Sequence, residues 1–238
     1  MSTSTARRFW TKAEPVPATG GHEVHLDGRP VRTPAKAPLV VPTRALAEAV
    51  AREWNAQEDK VEPATMPMTR SANAAIDKVA TQHAEVAEMV ADFGRTDLLC
   101  YRATAPKELI DRQDKVWTPY LDWAREALGA PLVTVAGVMP VAQPEASLQA
   151  LRARVHAMSA FELTAFHDLV GLSGSLILGF AATQELRPVG TIWDASRVDH
   201  LWQEEQWGQD ADAARDAALK RAAFFHAKAF HDLARATD

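Results

Sequence analysis

The stretch LTAFHDLVGLSGSLILGFAATQEL, from Leu163 to Leu186, constrains this chain more than any other. It is too long for a strand and contains no proline. Leu169, Leu172, Leu176 and Phe180 recur at helical spacing, and Phe166, Val170 and Ile177 fill the adjoining stripe. Gly171, Ser175 and Gly179 lie on another side, so apolar and small residues encircle the helix, which predicts burial. Each glycine inside a helix costs about 1 kcal/mol relative to alanine, so packing has to sustain the run. Close approach of neighbouring helices against small side chains supplies the compensation. The run is expected to be the central post of a helical domain.

A membrane span is the competing assignment. Leu169 to Gln184 is uncharged, but a helix of that length covers only about 24 Å. The hydrocarbon core needs about 30 Å. His167, Asp168 and Glu185 bracket the run, and positive flanking residues are lacking. No membrane insertion is expected.

Upstream, residues from about 7 to 41 read as strands. Phe9-Trp10-Thr11 is one short candidate. HEVHLDGRPVRT, His22 to Thr33, is a hairpin candidate with Asp27-Gly28 at a type I′ turn. Pro30 lacks an N–H and belongs on an edge. Leu39-Val40-Val41 makes a third strand. Thr43 is a good N-cap for a helix to about Gln57, with Leu46, Val50 and Trp54 inward and Glu48 pairing with Arg52 outside. The proline-punctuated crossing at Pro63 and Pro67 marks a domain boundary, and a helix over about 69–93 follows, compatible with a start in the first domain.

The remainder reads as helices. Pro106 to Leu128 carries Trp117 and Trp123, has Pro119 inside, and ends at Gly129. Leu132 to Val141 is β-rich. Glu145 to Met158 precedes the post. Thr191 or Asp194 caps a helix running to Trp207-Gly208, and a last helix over about 211–234 turns Leu219, Ala223, Phe230 and Leu233 inward. The expected class is α+β: residues 1–68 form a small antiparallel sheet with a packed helix. Residues 69–238 form a larger all-helical domain with a buried central helix.

Chemistry is hard to find in this pattern. A net charge of -5 excludes the basic footprint of a nucleic-acid binder. There is no phosphate-binding glycine loop and no HExxH. Gly171-Leu172-Ser173-Gly174-Ser175 approaches a nucleophile elbow, but a glycine is missing where Ser175 stands and the context is helical. A hydrolase using Ser173 or Ser175 is the enzymatic alternative, and a scaffold protein with other clients is a further non-enzymatic one. The pairs His167-Asp168 and His231-Asp232 are sequence neighbours, which do not face one another on a helix. His22 and His25 fall on opposite strand faces, so they make poor joint ligands. Cys100, the single cysteine, lies in an apolar run and reads as buried and inert. It suits a reducing compartment, and MSTSTARRFW lacks an apolar signal core, so the cytoplasm is expected. No metal and no cofactor are expected.

A different signal lies in RVDHLWQEEQWG, Arg197 to Gly208, where two tryptophans sit among acids at a helix end. Five residues apart, Trp202 and Trp207 cannot both point straight at one core. Tryptophan inside a polar rim is the chemistry of binding hot spots. Trp202 is expected in the core, while Trp207 either shields the helix end or faces a partner.

DGRPVRTP at 27–34, LVVPTRALAEAVAREWNAQ at 39–57 and TMPMTRSANAAID at 65–77 carry a family resemblance. TDLLCYRA at 96–103, the Trp117/Trp123 helix and WQEEQWG at 202–208 continue it in the same order. From about Arg7 to Leu233 the chain resembles the assembly chaperones of the ATP synthase catalytic head that bind the free α subunit. The resemblance implies two domains, no catalysis and a chaperone that holds the α subunit before the β subunit arrives; the need to present a free patch favours a monomer. It implies bacterial cytoplasm here and the mitochondrial matrix for related proteins. Asp199, Trp202, Gln203, Trp207 and Gly208 match the family's C-terminal pattern, whereas His200 replaces an acid and Glu204 an aliphatic. The expected partner-binding set is Asp199, Trp202, Glu204, Glu205 and Trp207. Trp54 matches too, but its place on an amphipathic stripe assigns it to folding.

Overall fold

The computed structural model describes residues 7–237; residues 1–6, which open the stretch lacking a signal core, and residue 238 lie outside the described residues. The chain divides into two compact units. The first takes the described chain up to His83 together with Ser159–Ala165 and the described residues from Ala229 onward. The second consists of Ala84–Met158 and Phe166–Lys228.

In the first unit, β1 (Ala13–Ala18), β2 (Gly21–Leu26), β3 (Arg29–Pro30) and β4 (Val40–Val41) form an antiparallel sheet with β2 in the middle. Asp27 and Gly28 both adopt positive φ, 46° and 81°, as a type I′ turn requires. The Asp27 carboxylate accepts the amides of Thr11 and Lys12 at 2.8 and 2.9 Å, and these bonds hold its carboxyl below the usual range. Phe9 to Thr11 is not a strand: an isolated bridge joins Arg7 to Lys60, and regular pairing begins only at Ala13. β1 contains Pro15 and Pro17, which hide it from strand propensity.

The helix α1 (Arg44–Asn55) covers this sheet, capped by Thr43, whose hydroxyl accepts the Leu46 amide at 3.1 Å. Leu46 and Val50 are fully buried, and Trp54 meets Trp10 edge-on at 5.2 Å. Its outer ion pair is Arg44–Glu48 at 2.8 Å, one turn earlier than the pairing expected between Glu48 and Arg52. α2 (Pro67–Ala74) opens on Pro67 with no cap of its own. The Glu53 carboxylate of α1 serves instead, accepting the amides of Met68 and Thr69 at 2.6 and 2.8 Å and the Thr69 hydroxyl at 2.7 Å. The long helix expected over 69–93 is interrupted. α2 passes into a π turn, Ala75–Val79, before α3 (His83–Ala91) begins. At the break the Thr81 hydroxyl donates to the Lys78 carbonyl at 2.8 Å, competing with the helical ladder. The core of the unit joins Leu39, Leu46, Val50 and Ala72 to Ala165, Phe230 and Ala234 from far along the chain.

The second unit is built from the rest of α3, α4 (Lys107–Ala127), α5 (Glu145–His156), α6 (Ala160–Ser173), α7 (Leu176–Thr183), α8 (Val189–Ser196), α9 (Val198–Trp207) and α10 (Ala211–Arg235). The first turn of α6 and the last turns of α10 belong to the first unit. β5 (Tyr101–Arg102) and β6 (Val135–Ala136) form a short parallel pair, all that the β-rich 132–141 segment contributes. α4 keeps Pro119 inside it, and Gly129 follows with φ +67°.

The apolar run is two helices rather than one rod. Gly174 takes φ +70°, and Ser175 caps α7 by accepting the Leu178 amide at 3.0 Å. Every residue from Leu176 to Ala182 is buried, so α7 is the central helix, whereas His167 and Gly171 on α6 face solvent. Close approach explains one glycine only. A Cβ at Gly179 would stand 2.6 Å from Val170 and 3.1 Å from the Phe166 ring, whereas nothing lies within 4 Å at Gly171. The other helical expectations shift in register. α8 starts after Pro188, and the chain breaks again at Arg197, giving two helices where one was expected. On α10 Phe230 is fully buried and Leu233 packs against the core as expected, whereas Leu219 is 72% exposed, Ala223 is exposed, and Phe224 takes the inward position in the earlier turns.

Candidate functional site

α9 lies against α4 within the second unit. Val198 is buried at its start, Leu201 and Trp202 are half-buried on the following turn, and Gly208 ends it with φ +87°. Gly208 donates its amide to the Glu204 carbonyl at 2.9 Å, closing the last turn.

Two consecutive residues of α4 engage this helix. Arg112 forks onto Glu205 with bonds of 2.8 and 2.7 Å, and its guanidinium sits 5.0 Å from the centre of the Trp202 ring. The fork holds the Glu205 carboxyl below its usual range and raises Arg112. Gln113 donates to Asp199 at 2.7 Å, and its other amide atom accepts the Ala103 amide at 2.7 Å. Beneath them Trp117 is fully buried and donates to the Ala195 carbonyl at 2.7 Å. Asp199, Trp202 and Glu205 thus share the face turned to α4, at the three-residue spacing that aligns side chains on a helix. Glu204 points elsewhere and bonds Arg197 at 3.0 Å. Trp207 stands apart from all of these and is 78% exposed. Arg112, Gln113 and Arg197 escape a reading of the sequence because a polar residue on an amphipathic helix looks solvated until its neighbour is known.

The serine alternative fails on geometry. Ser173 is buried and donates to the Leu169 carbonyl at 2.7 Å. Ser175 is fully buried, donates to Asp97 at 2.8 Å, and has its lone pair occupied by the Leu178 amide. Their partners are backbone groups, each other and a carboxylate, with no histidine among them. Asp97 also accepts the amides of Leu99 and Ile177, each at 3.0 Å, and burial pushes its carboxyl up to about 6 against those bonds. It is a helix-capping acid. Burial likewise pushes the Cys100 thiol up to about 12. Among the described residues no group of three His, Cys, Asp or Glu side chains is placed to hold a metal, and no helix is long and apolar enough to cross a membrane. The neighbouring His167 and Asp168 do meet, at 3.0 Å, as do His231 and Asp232 at 3.4 Å, because these short side chains can swing toward one another along the helix surface. The bond to Asp168 raises His167 above its usual range.

Comparison with known proteins now decides the family. The model of the ATP12 chaperone protein family matches residues 7–125. The crystal structure of Atp12 from Paracoccus denitrificans superposes with a TM-score of 0.94 at 48% identity, covering 97% of this chain and 99% of that one. The chain belongs to the ATP12 chaperone family. The Atu1473 protein of Agrobacterium tumefaciens is also similar, with a TM-score of 0.90 at 37% identity over 95% of this chain and 85% of that one. The mitochondrial protein atp12 of Schizosaccharomyces pombe is 24% identical over 220 residues, 87% of this chain and 75% of that protein. The family match stops within α4, so Arg112 and Gln113 fall inside it and α9 beyond it. The α+β class, with a small N-terminal sheet and a larger helical part, is that of the ATP12 structures.

Proposed function

We propose that this ATP12-family chain is an assembly chaperone of ATP synthase. It binds the unassembled α subunit of the catalytic head and keeps it from aggregating until the β subunit takes its place. It works as a monomer and without catalysis, in the compartment where the catalytic head is assembled: bacterial cytoplasm, or the matrix for mitochondrial relatives. Asp199, Trp202, Glu204, Glu205 and Trp207 form the contact surface.

The observation that carries this reading is the state of those five side chains. Four are engaged within the molecule, by Gln113, Arg112 and Arg197, and Trp207 alone projects an indole into solvent. An exposed tryptophan at the end of a helix favours an apolar contact from which water is excluded on docking. Arg112 and Arg197 already neutralise Glu205 and Glu204, which leaves Asp199 alone of the three acids without a cationic partner among the described residues, so the complex is expected to depend only weakly on salt. Mixing the purified chain with unfolded or newly made α subunit should give a one-to-one complex and suppress turbidity. An α subunit that stays uncomplexed and aggregates as fast as before would overturn the assignment.

A further inference from the structure

Among the described residues, the open edge of β1 offers no backbone donor. The register pairs Pro15 with Val24 and Pro17 with His22. On β2 the Val24 carbonyl accepts the Val31 amide at 2.9 Å, on the side away from β1, while Lys12 accepts the Asp27 amide at 3.0 Å. Antiparallel strands alternate the side to which each residue turns its N–H and C=O. The even-numbered residues of β1 therefore address β2, and residues 13, 15 and 17 address the open edge.

Every donor on that edge is accounted for. Just before the strand, Thr11 donates its amide to Asp27 at 2.8 Å and its carbonyl accepts Arg8 Nη2 at 3.1 Å. Ala13 donates to Asn55 Oδ1 at 2.7 Å and accepts from Asn55 Nδ2 at 2.7 Å, so one side-chain amide closes both of its groups. Pro15 and Pro17 have no N–H at all. Two carbonyls remain, and an added strand needs donors as well as acceptors to continue a ladder.

We infer that this edge is sealed against strand addition. Extended segments of an unassembled client are denied main-chain pairing with the sheet, leaving side-chain surfaces as the means of engagement, and two copies of the chain cannot join sheets along β1. Only the identity of the client rests on the proposed function. The test does not use it. Pro15→Thr combined with Pro17→Thr restores both donors and leaves Asn55 in place. The variant is expected to shift toward dimer in sedimentation velocity at concentrations where the wild-type chain shows no shift. Amide exchange along β1 is expected to slow in the associated form. Should the double variant fail to fold, Pro17→Thr at the more exposed position is expected to give the same shift more weakly. A folded variant that sediments like wild type at every concentration, with unchanged exchange along β1, overturns the inference. A wild-type chain that ignores the α subunit would instead overturn the proposed function and leave this result standing.

Discussion

Asp97 holds its carboxylate where burial and hydrogen bonding pull in opposite directions. Burial wins, raising the group from 3.8 to about 6. The native state therefore keeps a proton that the unfolded chain has released, so the group's contribution to stability is full below 3.8 and is lost as pH rises through about 6. Asp97→Asn removes the titration, so the melting temperature of the wild type, measured against that variant, should fall across the same window. Parallel curves would show that Asp97 titrates like an exposed acid. Trp207 poses the opposite case, since it is 78% exposed and its truncation removes little from the fold. Trp207→Ala should leave the melting temperature unchanged and weaken binding of the α subunit by about 2 kcal/mol, roughly 30-fold, in a titration. Loss of thermal stability without loss of affinity would place the indole in the fold instead.

Among the elements, α6 and α7 make a matched pair of tests. Gly171 sits in a helix with open space around its Cβ position, so Gly171→Ala should stabilise by about 1 kcal/mol. Gly179→Ala drives a methyl into Val170 and Phe166 and should destabilise by about 1–3 kcal/mol in denaturant titrations. Equal effects of the two substitutions would refute the packing described. This pair also shows what the sequence discloses. Apolar spacing announced that the run is helical and buried, but a glycine at φ +70° and a capping serine look the same in sequence as glycines that ease helix packing. The Asp27-Gly28 turn and the Thr43 cap were legible because each depends on residues a few positions apart. β1 was not, because its prolines suit only an edge, and an edge is a property of the sheet. The Arg112 fork onto Glu205 joins residues 93 positions apart and leaves no local trace.

For the molecule as a whole, the first unit is assembled from three separated stretches. Phe230 is fully buried in its core and stacks on Phe161 at 6.3 Å. A fragment ending at His83 keeps every strand of the sheet yet loses both rings. It should show amide exchange in α1 at least tenfold faster than the same segment in the full chain, since losing a large core ring costs about 3–5 kcal/mol. Exchange as slow as in the intact chain would mean that the sheet and α1 suffice. Residues 229–237 supplied as a separate peptide would not rescue the fragment, because Ser159–Ala165 are missing as well.

The Thr43 hydroxyl accepts the amide of Leu46 and donates to the carbonyl of Leu233 at 2.5 Å, 190 positions later. During synthesis from N- to C-terminus, the cap of α1 waits for another 190 residues before its second bond can form. Vectorial folding can lay down the hairpin and α1 early, but this bond beneath them closes only once Leu233 has emerged.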